Sequence, residues 1–384
     1  MMRQHWIVMV CVAAVAMVAH ADDEGPVEIH GFVSQGFLKS TDNNFLADSE
    51  RGSFEFTEAG INFTKPVSDR LRVGLQLFSR DLGPIGDYKV KLDWAYLDYR
   101  WRDWLGIRAG RTKLPFGLYN DTSDIDAAQP TALLPQSVYP ATNRDFLLAQ
   151  TGVELYGDHP IGSLGALDYR AYVGTIFIDL GLQPPNSPIQ IAKLTIPYVF
   201  GTRVMWETPL EGLRVGGSVQ RLRLETELLD ARDASMPRAI TADIPATLAV
   251  GSLEYARNDF LFAAEYARWY TRVETSDPTV IPATRAISER MYGLAAYRAQ
   301  PWLQVAGYYS LYYPTLDDRA GPSARQHDVA TTVRFDITPN WCLKLEGHHM
   351  RGTASLSSSL NPGHTLDQLA NRWLLFVAKT TVYF

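Results

Sequence analysis

Residues 371–384 read NRWLLFVAKTTVYF, an alternation so strict that few folds accommodate it. In an extended strand Leu374, Phe376, Ala378, Thr380, Val382 and Phe384 share one face, and that face carries no charge. Val377, Lys379, Thr381 and Tyr383 share the other, which holds a lysine. Strand side chains point alternately to the two sides of a sheet, so this strand suits hydrocarbon on one side and water on the other. That is the pattern of a transmembrane antiparallel β-barrel. An edge strand of a soluble β protein is the alternative, and the rest of the chain separates the two.

Segments of about ten residues with the same alternation recur from Pro26 onward, and no helix-period segment intervenes. They fall at 27–37, 53–65, 71–82, 88–100, 105–116, 150–156, 167–176, 198–208, 213–224, 246–257, 260–273, 288–298, 302–313, 327–336, 341–351 and 372–384. The expected fold is therefore all-β, a barrel of about sixteen strands, and an even count puts both ends on the periplasmic side. The connections alternate short and long. Asn258-Asp259 and Pro209 to Gly212 are short, whereas 38–52, 117–149 and 352–371 are long, with 83–87 the exception on the long side. Short turns on one rim and long loops on the other is the asymmetry of an outer-membrane barrel. A closing strand that ends on Phe384 resembles the signal read by the outer-membrane assembly machinery, an expected partner together with outer-membrane lipid.

Mean hydropathy is −0.13, as alternation requires, because each apolar residue has a polar neighbour. Residues 1–21 hold Arg3, an apolar run and Ala19-His20-Ala21, which predicts a signal peptide and export. The predicted mature chain, 22–384, then retains Cys342 as its lone thiol, too few for a disulfide or a cysteine metal site. A net charge of −6 disfavours nucleic acid as a partner. No phosphate-cradling loop, nucleophile motif or metal set appears, so neither a cofactor nor an enzyme is expected.

The stretch 117–149 is too long for a turn and too apolar for a free loop, with Leu133, Leu134, Val138, Tyr139 and Phe146 stiffened by Pro130, Pro135 and Pro140. It is the third long-side loop, and the lumen wall is the nearest surface for its apolar groups. Folded inward it would form a constriction, with Asp121, Asp124, Asp126 and Arg144 among its charges. Just upstream, Arg108, Arg111 and Lys113 fall within six residues, and a bulge at Gly110 would turn all three toward water.

Gly110-Arg111, Leu114 to Tyr119 and Leu134 to Tyr139 resemble the phosphate-selective porin O and P family, with the nearest likeness to its dicarboxylate-type relatives. The likeness is strongest from about Glu28 to Gly152. It implies a sixteen-stranded, usually trimeric porin with an inward third loop and a cationic wall, here Arg72, Arg80, Lys89, Lys91, Arg108, Arg111 and Lys113. It further implies passive diffusion of small hydrophilic solutes, anions such as phosphate or carboxylates, across the bacterial outer membrane by a homotrimer. Glu58, Asp93, Glu154, Asp168, Glu207, Glu254 and Glu346 share the lumen in the same alternation, a departure from a purely cationic funnel. An adhesion or receptor barrel and a barrel hydrolase are the alternatives. His348 and His349 are adjacent, so on a strand they face opposite sides and cannot converge on one metal.

Overall fold

The computed structural model describes residues 25–178, 189–230, 232 and 238–384. The leader expected at 1–21 lies outside them. Sixteen strands follow one another: β1 (Glu28–Ser40), β2 (Thr57–Ser68), β3 (Leu71–Asp81), β4 (Lys91–Arg102), β5 (Leu105–Lys113), β6 (Ala149–Pro160), β7 (Ala166–Ile176), β8 (Ile189–Glu207), β9 (Leu213–Asp230), β10 (Arg238–Arg257), β11 (Phe260–Thr275), β12 (Thr284–Gln300), β13 (Leu303–Tyr313), β14 (Gln326–Thr338), β15 (Trp341–Gly352) and β16 (Arg372–Tyr383). Each strand pairs antiparallel with its sequence neighbours, and β1 pairs with β16 to close the barrel. Closure leaves no sheet edge, so every strand finds main-chain partners on both sides. Phe384 and Gly31 exchange two backbone hydrogen bonds of 3.0 Å at the seam.

The alternation holds in β16. Leu374, Phe376, Val382 and Phe384 are exposed on the outer face, while Trp373, Leu375, Val377, Lys379 and Thr381 are buried inside. The loop sorting also holds. Turns at 69–70, 103–104, 258–259, 301–302 and 339–340 mark one rim, and connections at 41–56, 82–90, 114–148, 276–283, 314–325 and 353–371 mark the other.

Two expectations about the strands need correction. β8, β9 and β10 extend well beyond the segments read at 198–208, 213–224 and 246–257. Their long-loop ends carry charges such as Lys193, Glu225, Glu227 and Asp243, so the hydrophobic alternation fades there. The main-chain ladder continues because it pairs backbone whatever the side chains. Secondly, β5 keeps its register across Gly110, which faces Tyr96 on one side and Gly152 on the other. The irregularity sits on β4, where the ladder passes from Gln76↔Trp94 to Leu77↔Leu92 and Asp93 becomes the extra residue. A bulge of this kind changes which residues share a face. It brings Trp94 and Tyr96 onto the lumen row with Asp98, not onto the outer row with Leu92.

The exposed Leu345 stands on the outer row of β15. Leu345→Arg is expected to destabilise the barrel in lipid by ~2–4 kcal/mol, measured by denaturant unfolding from vesicles. Leu210→Arg, at an exposed short turn, should leave stability nearly unchanged.

Candidate functional site

The segment 114–148 leaves the wall between β5 and β6 and enters the barrel. Its base is closed by Leu114 N–H donating to Leu148 O at 2.7 Å, and by the Asn120 amide donating to the carbonyls of Leu114 (2.8 Å) and Leu147 (3.1 Å). Apolar burial draws it inward. Leu134, Val138 and Tyr139 join a cluster with Tyr292, Leu294 and Tyr308 of the wall, while Ala132 and Leu133 join another with Phe45, Leu375 and Val377. The inward third loop expected from the sequence is thus present.

An irregular backbone inside a barrel needs hydrogen-bond partners for its own amides and carbonyls, and wall side chains provide them. Glu346 of β15 accepts from the N–H of Ala132 (2.7 Å) and of Leu133 (3.0 Å). Lys344 donates to the carbonyls of Asp126 and Thr131, both at 2.9 Å. Arg334 of β14 donates to Ala127 O at 2.8 Å and Gln129 O at 3.1 Å. On β11, Glu265 accepts from Leu118 N–H at 2.9 Å, Tyr292 OH at 2.8 Å and the hydroxyl of Tyr139. Burial and the neighbouring Glu265 push the Tyr139 hydroxyl well above its ordinary pKa.

At the far wall the Asp126 carboxylate meets Lys379 at 2.9 Å and Lys344 at 3.6 Å, and accepts from Thr381 Oγ1 at 2.6 Å. Burial alone would raise its pKa, but the two ammonium groups outweigh it and hold the carboxyl down at about 2. Next to this clamp His348 lies between Asp328 at 2.9 Å and Glu346 at 3.0 Å. It faces inward as alternation required, but its side chain has no exposed surface.

The near wall holds a second set of charges. Arg108 pairs with Glu154 at 2.8 Å and Asp98 at 3.3 Å, and Asp98 also meets Arg72 at 2.8 Å. Arg144, in the short helical turn Arg144–Leu147, pairs with Asp93 at 3.0 Å and reaches Asp124 at 3.9 Å, and its guanidinium lies 3.8 Å over the Phe78 ring. Lys113 bonds Asp124, and the Gln76 amide donates to Asp124 at 2.6 Å and Asp93 at 3.0 Å. Burial opposes ionisation of Asp124, but Lys113 and Arg144 keep its pKa below the ordinary carboxylate value. Asp121 meets Arg170 at 2.9 Å and Arg203 at 3.6 Å.

Of the other expected wall residues, two leave the wall and three keep to it in different settings. Lys89 is exposed in the connection 82–90, where Gly83 and Gly86 turn the chain with positive φ, so it is not on the wall. Arg111 stands in the cross-strand row of Leu75 and Ala95, the outward row, and donates to the Asp93 carbonyl at 2.9 Å. With no bulge at Gly110, nothing turns it to the lumen. Arg72 lies near the short-turn rim, away from the loop. Arg80 donates to Ala141 O at 2.9 Å and so holds the loop. Lys91 opens β4 opposite the buried Phe78.

Two cavities flank the loop. One of about 670 Å³ opens on the short-turn side and is bordered by Phe32, Trp94, Tyr96, Arg108, Lys113 and Asp124, among others. A smaller one of about 80 Å³ lies on the long-loop side, bordered by Arg80 and Arg144. The Asp124–Arg144 contact within the loop links their borders.

No protein-family model matches the sequence, and no curated protein matches it. The fold is similar to that of outer-membrane OmpT of Vibrio cholerae (13% identity, 94% of this chain and 99% of that chain, TM-score 0.61). It is also similar to an anion-selective porin from Comamonas acidovorans (11%, 94% and 99%, TM-score 0.54) and to the outer membrane channel DcaP of Acinetobacter baumannii (12%, 95% and 100%, TM-score 0.51). At these identities the likeness concerns architecture, that of an outer-membrane porin barrel.

Asp126→Ala is expected to destabilise the protein by ~3–5 kcal/mol, because Lys344 and Lys379 are left buried without it. The pH dependence follows from a lowered folded-state pKa. The stabilisation is fully present above the ordinary value of 3.8 and lost as pH falls through about 2. Unfolding midpoints of the natural protein and Asp126→Asn should differ by the same amount at pH 7 and 5, then converge toward pH 2.

Proposed function

We propose that this chain forms a porin of the bacterial outer membrane. Small hydrophilic solutes diffuse passively between the inward loop and the β3–β7 wall, with a preference for anions such as phosphate or carboxylates. The leader at 1–21 would direct export, and the working unit would be a homotrimer, without cofactor, energy coupling or catalysis. A structure of the Vibrio cholerae OmpT in its trimer form, with a similar fold at 14% identity and TM-score 0.57, supports the assembly.

One observation carries the ion preference. On the β3–β7 wall and the loop facing it, the cation is the more exposed member of most pairs; Arg100–Asp158 and the pairs of Arg203 with Asp121 and Asp168 run the other way. Arg108 is 17% exposed against 1% for Glu154, Lys113 13% against 1% for Asp124, and Arg144 11% against 3% for Asp93. Arg72–Asp98 and Arg170–Asp121 follow the same order. Formal charge is close to balanced, but a solute in the passage meets N–H donors first, with the carboxylates behind them. A narrow passage with low-dielectric walls focuses this local field, and rings of Arg or Lys are the usual device of anion pores. The buried carboxylates hold the cations in place and moderate the preference.

The test is the reversal potential under a KCl gradient in planar bilayers. The natural protein should prefer chloride. In Arg108→Ala with Lys113→Ala, Glu154 and Asp124 lose their nearest cations and Asp98 loses one of its two, and the preference should fall or reverse. Arg111→Ala, on the outward row, should leave it unchanged. Cation preference in the natural protein, or no response to the double substitution, would contradict the proposal.

A further inference from the structure

We propose that the 670 Å³ cavity on the short-turn side binds planar aromatic carboxylates, so that single-ring aromatic acids are the solutes this channel retains best. The inference rests on the porin reading and names the substrate class of the same passage.

The cavity wall is paved with ring faces. The β4 bulge brings Trp94 and Tyr96 into the lumen, stacked at 5.2 Å with 29° between their planes. Glycines beneath the rings let them lie flat. A Cβ on Gly74 would come within 3.0 Å of the Trp94 ring, and one on Gly60 within 2.5 Å of Phe32. Trp94, Tyr96 and Phe32 all border the cavity. A strand residue with a side chain at either of these glycines would lift its ring edge-on and fill the space.

The charge is placed to match. The Arg108 guanidinium lies 5.4 Å over the Tyr96 ring and 4.2 Å over the Tyr156 ring, while Asp98 and Glu154 fix it from behind. It borders the cavity together with Lys113 and Arg170. Cation donors beside flat apolar faces suit a solute with a carboxylate at one end and a planar ring at the other. Phosphate or an aliphatic acid would use the donors but not the rings. The volume lies within the ~300–1,000 Å³ of small-molecule sites, room for one ring and ordered water. Ring–ring contact adds ~0.5–1.5 kcal/mol beyond burial, which corresponds to roughly two- to tenfold in affinity.

The test compares benzoate with cyclohexanecarboxylate, which has the same charge and similar size but no planar ring, and with acetate. Block of chloride current through the natural protein in planar bilayers gives half-blocking concentrations, and calorimetry on the folded protein in detergent gives binding. Benzoate should act at roughly two- to tenfold lower concentration than cyclohexanecarboxylate, and acetate should be weakest. Trp94→Leu should erase the difference between the two ring acids and leave acetate unchanged. Equal action of benzoate and cyclohexanecarboxylate on the natural protein would overturn the proposal without any variant. A protein with no chloride current would overturn the porin reading instead, and calorimetry with the two ring acids would then decide the site alone.

Discussion

A loop inside a barrel must satisfy its own backbone, and the remaining features of the lumen follow from how this chain does so. The sheet cannot help, because closure has already paired its strands with one another. The wall therefore offers side chains. Glu346 and Glu265 accept from loop amides, while Lys344, Arg334 and Arg80 donate to loop carbonyls. Each is a charged group buried against the loop, and each would be costly to bury unpaired. Loop and wall thus stabilise each other: without the loop Lys344 and Glu346 would line an open lumen, and without them the backbone of residues 126–133 would lose the partners that let it stay inside.

This arrangement divides the lumen charges into two populations. Those of β14 to β16 are largely consumed by the clamp on Asp126 and on residues 127–133. Those of β3 to β7 form ion pairs whose cations retain some contact with water. On the proposed porin reading, the second group is the one that would meet a passing solute. The same residue type therefore has different surroundings on opposite walls, and net charge alone does not describe the field in the lumen.

Much of the fold was legible because its signal is local. Alternation in each segment and the sorting of short and long connections need no long-range information, and each of the sixteen segments meets a strand. The signal failed at the long-loop ends of β8 to β10, where polar residues on both faces hide a ladder that persists in the backbone. The inward loop was legible from Leu133, Leu134, Val138 and Tyr139, apolar groups that a free loop would not carry. The site was harder. Alternation placed Lys379 in the lumen correctly, but its partner Asp126 lies 253 residues away, and no spacing rule links them. Arg111 was misplaced because the bulge formed on the facing strand, not at Gly110. The lumen row Lys344, Glu346 and His348 was a visible cluster of titratable groups, although its use as a loop dock depends on an element far off in the sequence.

The central claim is that residues 114–148 lie within the lumen, held by the far wall, and narrow the passage. Replacing residues 122–143 by a short Gly-Ser linker and recording single-channel conductance tests it most directly. The account predicts a barrel that still inserts, conducts several-fold more current and discriminates less between chloride and potassium. A variant that folds and inserts but shows the conductance and ion preference of the natural protein would contradict it.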